Sequence, residues 1–372
     1  MKKEDLINVD YKKIAEKIVK FCARVRDNET VTIIGRGDNL FFCELISLQC
    51  YKIGAIPQII IYSDDYKYKM LTETPVKFLK RLPRHLLALI KESDVVITTA
   101  FEWKNPKLMG KVPEERIAVK RIAEKPISEV IFDGKRRWLG CSFPTEQQAK
   151  AIGVSFSELY NMYWDAIDID YEDLIKKTSK LASHLEGKDI VKIISPKGTN
   201  VEIRIGGRKI GKDDGVIDED DVKIGDPWLN IPSGEVCVAP VEDGANGKVV
   251  FDIAYYKGKR IEDLEVELIN GVVKPLKAKK GFKIFTNRIE NATGDKDKIG
   301  ELGIGLNPKI KEAIGYLATD EKIIGTCHIA FGENRFLGGK NVSDIHWDLL
   351  IKNATVVADD EVIMKNGRFL IF

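Results

Sequence analysis

The sequence predicts an α/β N-terminal domain, built on a parallel sheet with flanking helices, followed by a mainly antiparallel β-rich C-terminal domain. Three observations predict this. A chain of 372 residues with 44% apolar content suits two ordinary buried cores better than one. Up to about residue 185, short apolar runs alternate with helical patterns, as in successive βαβ units. Beyond that point the helical patterns thin out, and short alternating runs bounded by turn residues take over. The expected domains are therefore 1–185 and 186–372.

The opening segment MKKEDLINVDYKKIAEKIVKF is charged throughout and places Ile14, Ile18 and Phe21 on one stripe of a helix. It lacks the apolar run of a signal peptide, and no window approaches the ~18 uncharged apolar residues of a membrane span. A cytoplasmic location is the expectation. ETVTIIG (29–35), IPQIIIY (56–62) and DVVITTA (94–100) read as buried strands, with ISEVIFDG (127–134) as a fourth. NLFFCELISLQCYKIG (39–54) reads as a helix closed by Gly54, and VKFLKRLPRHLLALIKES (76–93) as a helix interrupted at Pro83. In SFSELYNMYWDAI (155–167), Ser155 is followed three residues on by Glu158, a capping-box pattern. YEDLIKKTSKLASHLEG (171–187) is a further helix ending at Gly187.

In the second half, DIVKIISPKGTNVEIRIGG (189–207) reads as a hairpin around a Pro-Lys-Gly turn. Asn-Gly at 270–271 and 366–367 marks two more hairpins, and one helix is expected around 288–302.

Composition excludes several classes of function. A net charge of +2 and a pI near 8.0 give no electrostatic footprint for nucleic acid or an anionic membrane. Six scattered cysteines form no CxxC pair, so neither a zinc ribbon nor a thioredoxin motif is present, and they read as buried reduced thiols. Two loops imitate nucleotide sites. GRGDNL (35–40) has Leu40 where a dinucleotide loop needs its third glycine, and GGRKIGKD (206–213) has Asp213 where a phosphate loop needs Ser or Thr. Neither is read as a nucleotide site. His85 and His184 lie on helices among charged residues and read as surface or half-buried groups.

The remaining polar oddities gather in the second half. In SDIHWDLL (343–350), Asp344, His346 and Asp348 alternate with Ile345 and Trp347, so on a strand the polar groups share one face. His346 and Asp348 form an HxD pair with Asp344 behind them. His328 sits in the apolar run TCHIAFG, where an uncompensated imidazole is costly. Glu235 in NIPSGEVCVAP and Glu301 in GELGIG stand among glycines and aliphatics with no basic partner beside them. Taken singly, each is an ordinary turn or ion-pair residue. Together, two imidazoles and three carboxylates suit a pair of divalent ions in a hydrolytic site, with zinc, cobalt or manganese favoured by the nitrogen and oxygen donors.

The run LNIPSGEVCVAPVEDGANGKVVFD (229–252) closely resembles a conserved block of the M29 metallo-aminopeptidases, the family of thermophilic aminopeptidase T and aminopeptidase S. Segments 143–174, GTNVEIRIGGR (198–208), GELGIG (300–305), DEKIIGTCHIAFG (320–332) and SDIHWD (343–348) follow in the family's order. The resemblance implies an aminopeptidase that takes peptides with a free N-terminus, uses two divalent metal ions and forms a homodimer. It implies Glu235, Glu301, His328, His346 and Asp348 as metal ligands. Glu321 resembles a further acidic ligand, although its spacing to His328 is longer here. Bacterial members carry a tyrosine soon after the first histidine, whereas here the segment reads ENRFLGG and no tyrosine follows Tyr316. Either Arg335 stabilises the transition state in its place, or the group is dispensable.

The expected reaction is hydrolysis of the first peptide bond by a hydroxide held between two metal ions. Glu301 and Glu242 are the candidates to carry the proton to the leaving amine. Two alternatives share the scaffold. One is a metal-dependent amide hydrolase of other specificity, motivated by the altered segment 333–339. The other is a non-catalytic binding protein that has kept the fold.

Overall fold

The structure is a computed structural model that describes residues 6–100 and 102–372. The first five residues of the charged opening segment lie outside the described residues. The chain forms two compact units, 1–168 with 215–231 and 169–214 with 232–372.

In the first unit the strands Ile56–Tyr62, Thr30–Arg36, Val95–Thr98, Arg137–Cys141 and Trp228–Ile231 lie in that order, each parallel to its neighbours. Helices flank the sheet, so strands such as VVIT and RWLGC are buried along nearly their whole length. The helix Leu40–Ile53 ends, as expected, at Gly54 with φ 92°, and Pro83 separates the helices Val76–Leu79 and Arg84–Lys91. The Ser155 hydroxyl accepts from the Glu158 backbone N–H at the start of Phe156–Ile167.

Two expectations are corrected. ISEVIFDG is not the fourth strand, because Ile127, Val130 and Ile131 follow helical spacing and pack with Ile90, Val96 and Trp138. They belong to the helix Glu114–Ile131, which accommodates Pro126, and the fourth strand is Arg137–Cys141. The chain then returns to this sheet with Trp228–Ile231. The division also differs from a single cut at 185: the helix Tyr171–Leu185 packs on strands Ile210–Asp213 and Glu235–Val238 of the second unit.

The second unit is one 13-stranded sheet whose named pairs are all antiparallel. Ile190–Ile194 and Asn200–Arg204 form the expected hairpin. Asn270 and Gly271, with φ 49° and 75°, join Lys259–Ile269 to Val272–Lys280, and Asn366 and Gly367 turn the chain with φ 50° and 76°. Positive φ at both central residues matches the twist of flanking strands, which is why Asn-Gly marks these turns. The helix expected around 288–302 is Phe282–Asn291, and the end of that stretch is instead the strand Ile299–Gly305.

Five adjacent strands of this sheet are His346–Ile351, Cys327–Gly332, Ile299–Gly305, Glu235–Val238 and Ile210–Asp213. One face of the first two is apolar. Trp347 stacks on Phe285 of the helix Phe282–Asn291, with ring centroids 5.5 Å apart, and Phe331 meets Phe285 at 6.2 Å and Phe251 at 6.0 Å. Because side chains alternate, that packing turns the neighbours of Phe331 and Trp347 to the opposite face. Among the described residues no helix is long and apolar enough to cross a membrane.

Candidate metal centre

The opposite face gathers the polar residues by register alone. Ala330 pairs with both Glu301 and Asp348, Gly303 with both His328 and Cys237, and Glu235 with both Gly305 and Asp213. Directly paired residues share a face, as do residues two apart on one strand. Asp213, Glu235, Glu301, His328, His346 and Asp348 therefore project from the same side of five strands. Small residues stand between them and make room. A Cβ on Gly303 would lie 2.0 Å from His328 Nε2, so the glycine of GELG is what lets the imidazole lie flat over that strand.

The donors converge. His328 Nε2 lies 3.4 Å from Glu235 Oε2, 3.5 Å from Glu301 Oε1 and 3.9 Å from Asp348 Oδ1. His346 Nε2 lies 2.9 Å from Glu301 Oε2 and 3.5 Å from Asp348 Oδ1. The other His346 nitrogen, Nδ1, donates to the Glu333 carbonyl at 2.7 Å, which orients the ring with Nε2 toward the carboxylates. Phe336 packs edge-on against the same ring at 5.0 Å. Glu321 joins through Lys322, whose ammonium lies 3.0 Å from Glu321 Oε1, 2.6 Å from Glu235 Oε1 and 2.6 Å from Asp213 Oδ2.

The middle of the cluster is buried: His328 is 0% exposed, Glu301 4%, and Glu235 and Asp348 7% each, while His346, Glu321 and Asp213 are half-buried. The charges perturb one another strongly. Burial pulls the His328 imidazole down, but Glu301, Glu235 and Asp348 outweigh it and hold the pKa up at about 9. His346 is likewise depressed by burial and raised further by Asp348 and Glu301, to well above its ordinary value. Burial acts to raise Glu301, yet the two imidazoles hold it far below the usual carboxylate range. Glu235 and Glu321 are raised by burial against the pull of Lys322.

Three of the sequence-derived candidates lie apart from this cluster. Glu242 Oε2 accepts from Arg208 at 2.5 Å and Oε1 accepts from the Lys340 backbone N–H at 2.6 Å, so both oxygens are engaged. Arg335 is exposed and pairs with Glu333 at 2.6 Å. Asp344 precedes the strand, is exposed, and accepts from the Thr293 backbone N–H instead of standing behind His346 and Asp348. Two members escaped sequence reasoning. Asp213 entered only as the residue that spoiled a phosphate-loop pattern, and Lys322 as one charge in DEKIIGTCHIAFG. Nothing local distinguishes either, because each is brought in by long-range pairing.

The residues fit a divalent cation. Glu235 Oε2, Asp348 Oδ1 and both His328 ring nitrogens are buried without a hydrogen-bond partner. Such atoms carry the full cost of desolvation unless something positive meets them. One ligand atom each from Glu301, His328 and Asp348 lie within 4.8 Å of one another, as do Glu235, Cys237 and Glu301. A set of imidazoles and carboxylates is the donor chemistry of zinc, cobalt and manganese. Glu321 and Asp348 also border a small cleft whose walls include Tyr255, Leu317, Trp347 and Leu350.

The thermophilic metalloprotease (M29) family model matches residues 8–369. The chain belongs to the M29 metalloprotease family. It is thus a metallopeptidase, a hydrolase that uses divalent metal, and its fold agrees. Aminopeptidase AmpS of Bacillus subtilis (strain 168) is 22% identical over 314 residues, covering 78% of this chain and 75% of AmpS. Wild-type AmpT from Thermus thermophilus superposes with a TM-score of 0.75 at 19% identity, over 97% of this chain and 98% of AmpT. The 2,5-dihydroxypyridine dioxygenase of Pseudomonas putida KT2440 superposes with a TM-score of 0.67 at 15% identity, over 98% of each chain. The last two likenesses concern the fold. A hydrolytic family and a dioxygenase share it, so chemistry must be argued from the side chains.

Proposed function

We propose that this M29 chain is a metal-dependent aminopeptidase that removes the first residue of peptides with a free N-terminus. The observation that carries the reading is the set of partnerless buried atoms, Glu235 Oε2, His328 Nε2 and Asp348 Oδ1, within one cluster. Glu301, His328, His346 and Asp348 would hold a divalent cation at one corner, and Glu235 with Glu321 stands at the other, around Lys322. Divalent metal bound in the cluster would supply a Lewis acid for the scissile carbonyl and bring a water close to ionisation at neutral pH.

The protein's own groups do the rest. The Glu333 carbonyl fixes the His346 tautomer. Gly303 keeps the His328 ring in place. Glu321 and Asp348 face both the cluster and the cleft, so they are placed to hold the substrate's α-ammonium, and a blocked N-terminus forfeits that ion pair. The apolar wall of Tyr255, Leu317 and Leu350 receives the first side chain. With both Glu242 oxygens engaged by Arg208 and Lys340, the proton for the leaving amine passes through a cluster carboxylate, for which Glu301 and Glu321 are the candidates.

The test is a panel of aminoacyl anilides, assayed before chelation, after it, and after reloading with zinc, cobalt or manganese. Cleavage that is lost on chelation, restored by metal and absent for N-acetylated substrates supports the reading. Failure to cleave any free-amine substrate after reloading, or equal cleavage of the acetylated series, sinks it.

A further inference from the structure

Lys322 is the cation that the chain itself places in this cluster. Its side chain is 4% exposed, and its nitrogen lies 2.6 Å from Asp213 Oδ2, 2.6 Å from Glu235 Oε1 and 3.0 Å from Glu321 Oε1. Three carboxylates around one ammonium match its three N–H donors. The cluster therefore has two unlike corners. Around Glu301, His328, His346 and Asp348 the facing atoms include partnerless ones, and no lysine or arginine pairs with them among the described residues. Around Glu235, Glu321 and Asp213, where Asp213 Oδ1 also lacks a hydrogen-bond partner, a fixed positive charge already stands. Glu235 links the two, with Oε1 on Lys322 and Oε2 facing His328 at 3.4 Å.

We propose that Lys322 occupies the second cation position of this centre. The chain then retains one divalent ion, at the imidazole corner, and a second ion enters only by displacing the ammonium. This rests on the metallopeptidase reading above and adds to it the number of ions the chain retains. Two physical effects drive the difference. The ammonium neutralises part of the acidic excess that would draw a second dication, and the two like charges repel across a buried, weakly screened gap. A two-ion centre needs carboxylates free at both corners, and here one corner has a resident.

The experiment counts ions instead of turnover. Full-length protein is loaded with excess manganese, desalted and measured by elemental analysis, with calorimetric titration giving the affinities. The expected result is one retained ion per wild-type chain, two per Lys322→Met chain, and one per Lys322→Arg chain, where positive charge is kept. The second ion should bind Lys322→Met at least about tenfold more tightly than wild type, the scale seen when a group next to a metal ligand is changed. Two ions retained with similar affinity by wild type overturn the proposal and leave the metallopeptidase reading standing. One ion in both wild type and a folded Lys322→Met, with its thermal transition intact, overturns it as well, because that corner then is no cation site. Should Lys322→Met not fold, the wild-type titration decides alone: one tight and one weaker ion supports the proposal, and two equal ones refute it. No ion in any variant overturns both readings.

Discussion

Both compact units bury charge, and they treat it in opposite ways. In the first unit, Arg36 is 1% exposed and its guanidinium is fully engaged: Nη1 donates to the Glu102 carbonyl at 2.7 Å, Nη2 to the Phe143 carbonyl at 2.9 Å, and Nε to Asp38 at 3.1 Å. In the second unit, five carboxylates (Asp213, Glu235, Glu301, Glu321 and Asp348) meet one ammonium and two imidazoles, and several facing atoms have no partner. A buried charge with every donor satisfied is a structural tie. A buried cluster with surplus acid is organised for something the chain does not itself provide. Burial and charge are alike in the two places, and only the accounting of partners separates a brace from a site.

The largest effect is expected in the second unit. Glu301→Gln keeps the shape but removes the charge that both imidazoles face, so retained metal and aminopeptidase turnover should fall together. The expected loss is about 10³-fold or more, since a bound metal is worth several kcal/mol at the transition state. Unchanged turnover would show that Glu301 holds no metal.

The corresponding change in the first unit is Arg36→Met. It strips partners from Asp38 and two part-buried carbonyls, and should lower stability by about 3–5 kcal/mol. The thermal transition reads this directly, while metal content per folded chain stays at the wild-type value. A loss of metal with stability intact would reverse the roles assigned to the two regions.

Gly303→Ala sharpens the contrast with a single methyl group. The new Cβ would stand 2.0 Å from His328 Nε2, so the ring must move. Metal affinity should drop by about 10–100-fold, with overpacking adding about 1–3 kcal/mol of destabilisation. A variant that binds metal as tightly as wild type would show that the imidazole is not held by this contact.

The smallest effect is expected at Glu242. Burial opposes its ionisation, but its hydrogen bonds and Arg208 hold its pKa below the usual 4.5. A carboxyl depressed in the folded state contributes stability that is fully present above the unfolded pKa and is lost as pH falls through the lower, folded one. Glu242→Gln should therefore reduce stability near neutral pH by about 1.5 kcal/mol, the low end for a hydrogen bond to a charged group. Below about pH 4 the difference from wild type should shrink, and turnover should remain close to wild type throughout. A large loss of turnover with stability preserved would return Glu242 to the proton-transfer role. Arg335→Ala, at an exposed ion pair, should leave both turnover and Tm unchanged.

Much of the architecture was legible along the chain because it depends on local chemistry. Asn-Gly turns need positive φ, Ser155 caps the helix that follows it, and apolar alternation assigns strand faces. The fourth strand was misassigned at 127–134 because a short apolar run satisfies helix and strand spacing alike, and only packing of Ile127 and Val130 against Trp138 decides between them. The interleaving of the units through 215–231 has no local signature either.

Local residue chemistry marks which donors could form a centre. His328 and the HxD pair of His346 and Asp348 stand out as polar residues in apolar runs, and Glu235 and Glu301 as carboxylates among glycines and aliphatics. Those oddities are visible wherever the chain goes. Tertiary structure alone decided the membership and balance of the cluster. It brought in Asp213 through its pairing with Glu235, inserted Lys322 among three carboxylates, and left Glu242 and Arg335 paired elsewhere. The reason is physical: a residue's type and neighbours indicate what it can bind, but Coulomb interactions and ligation depend on distance in space, and register between strands far apart in the chain sets that distance.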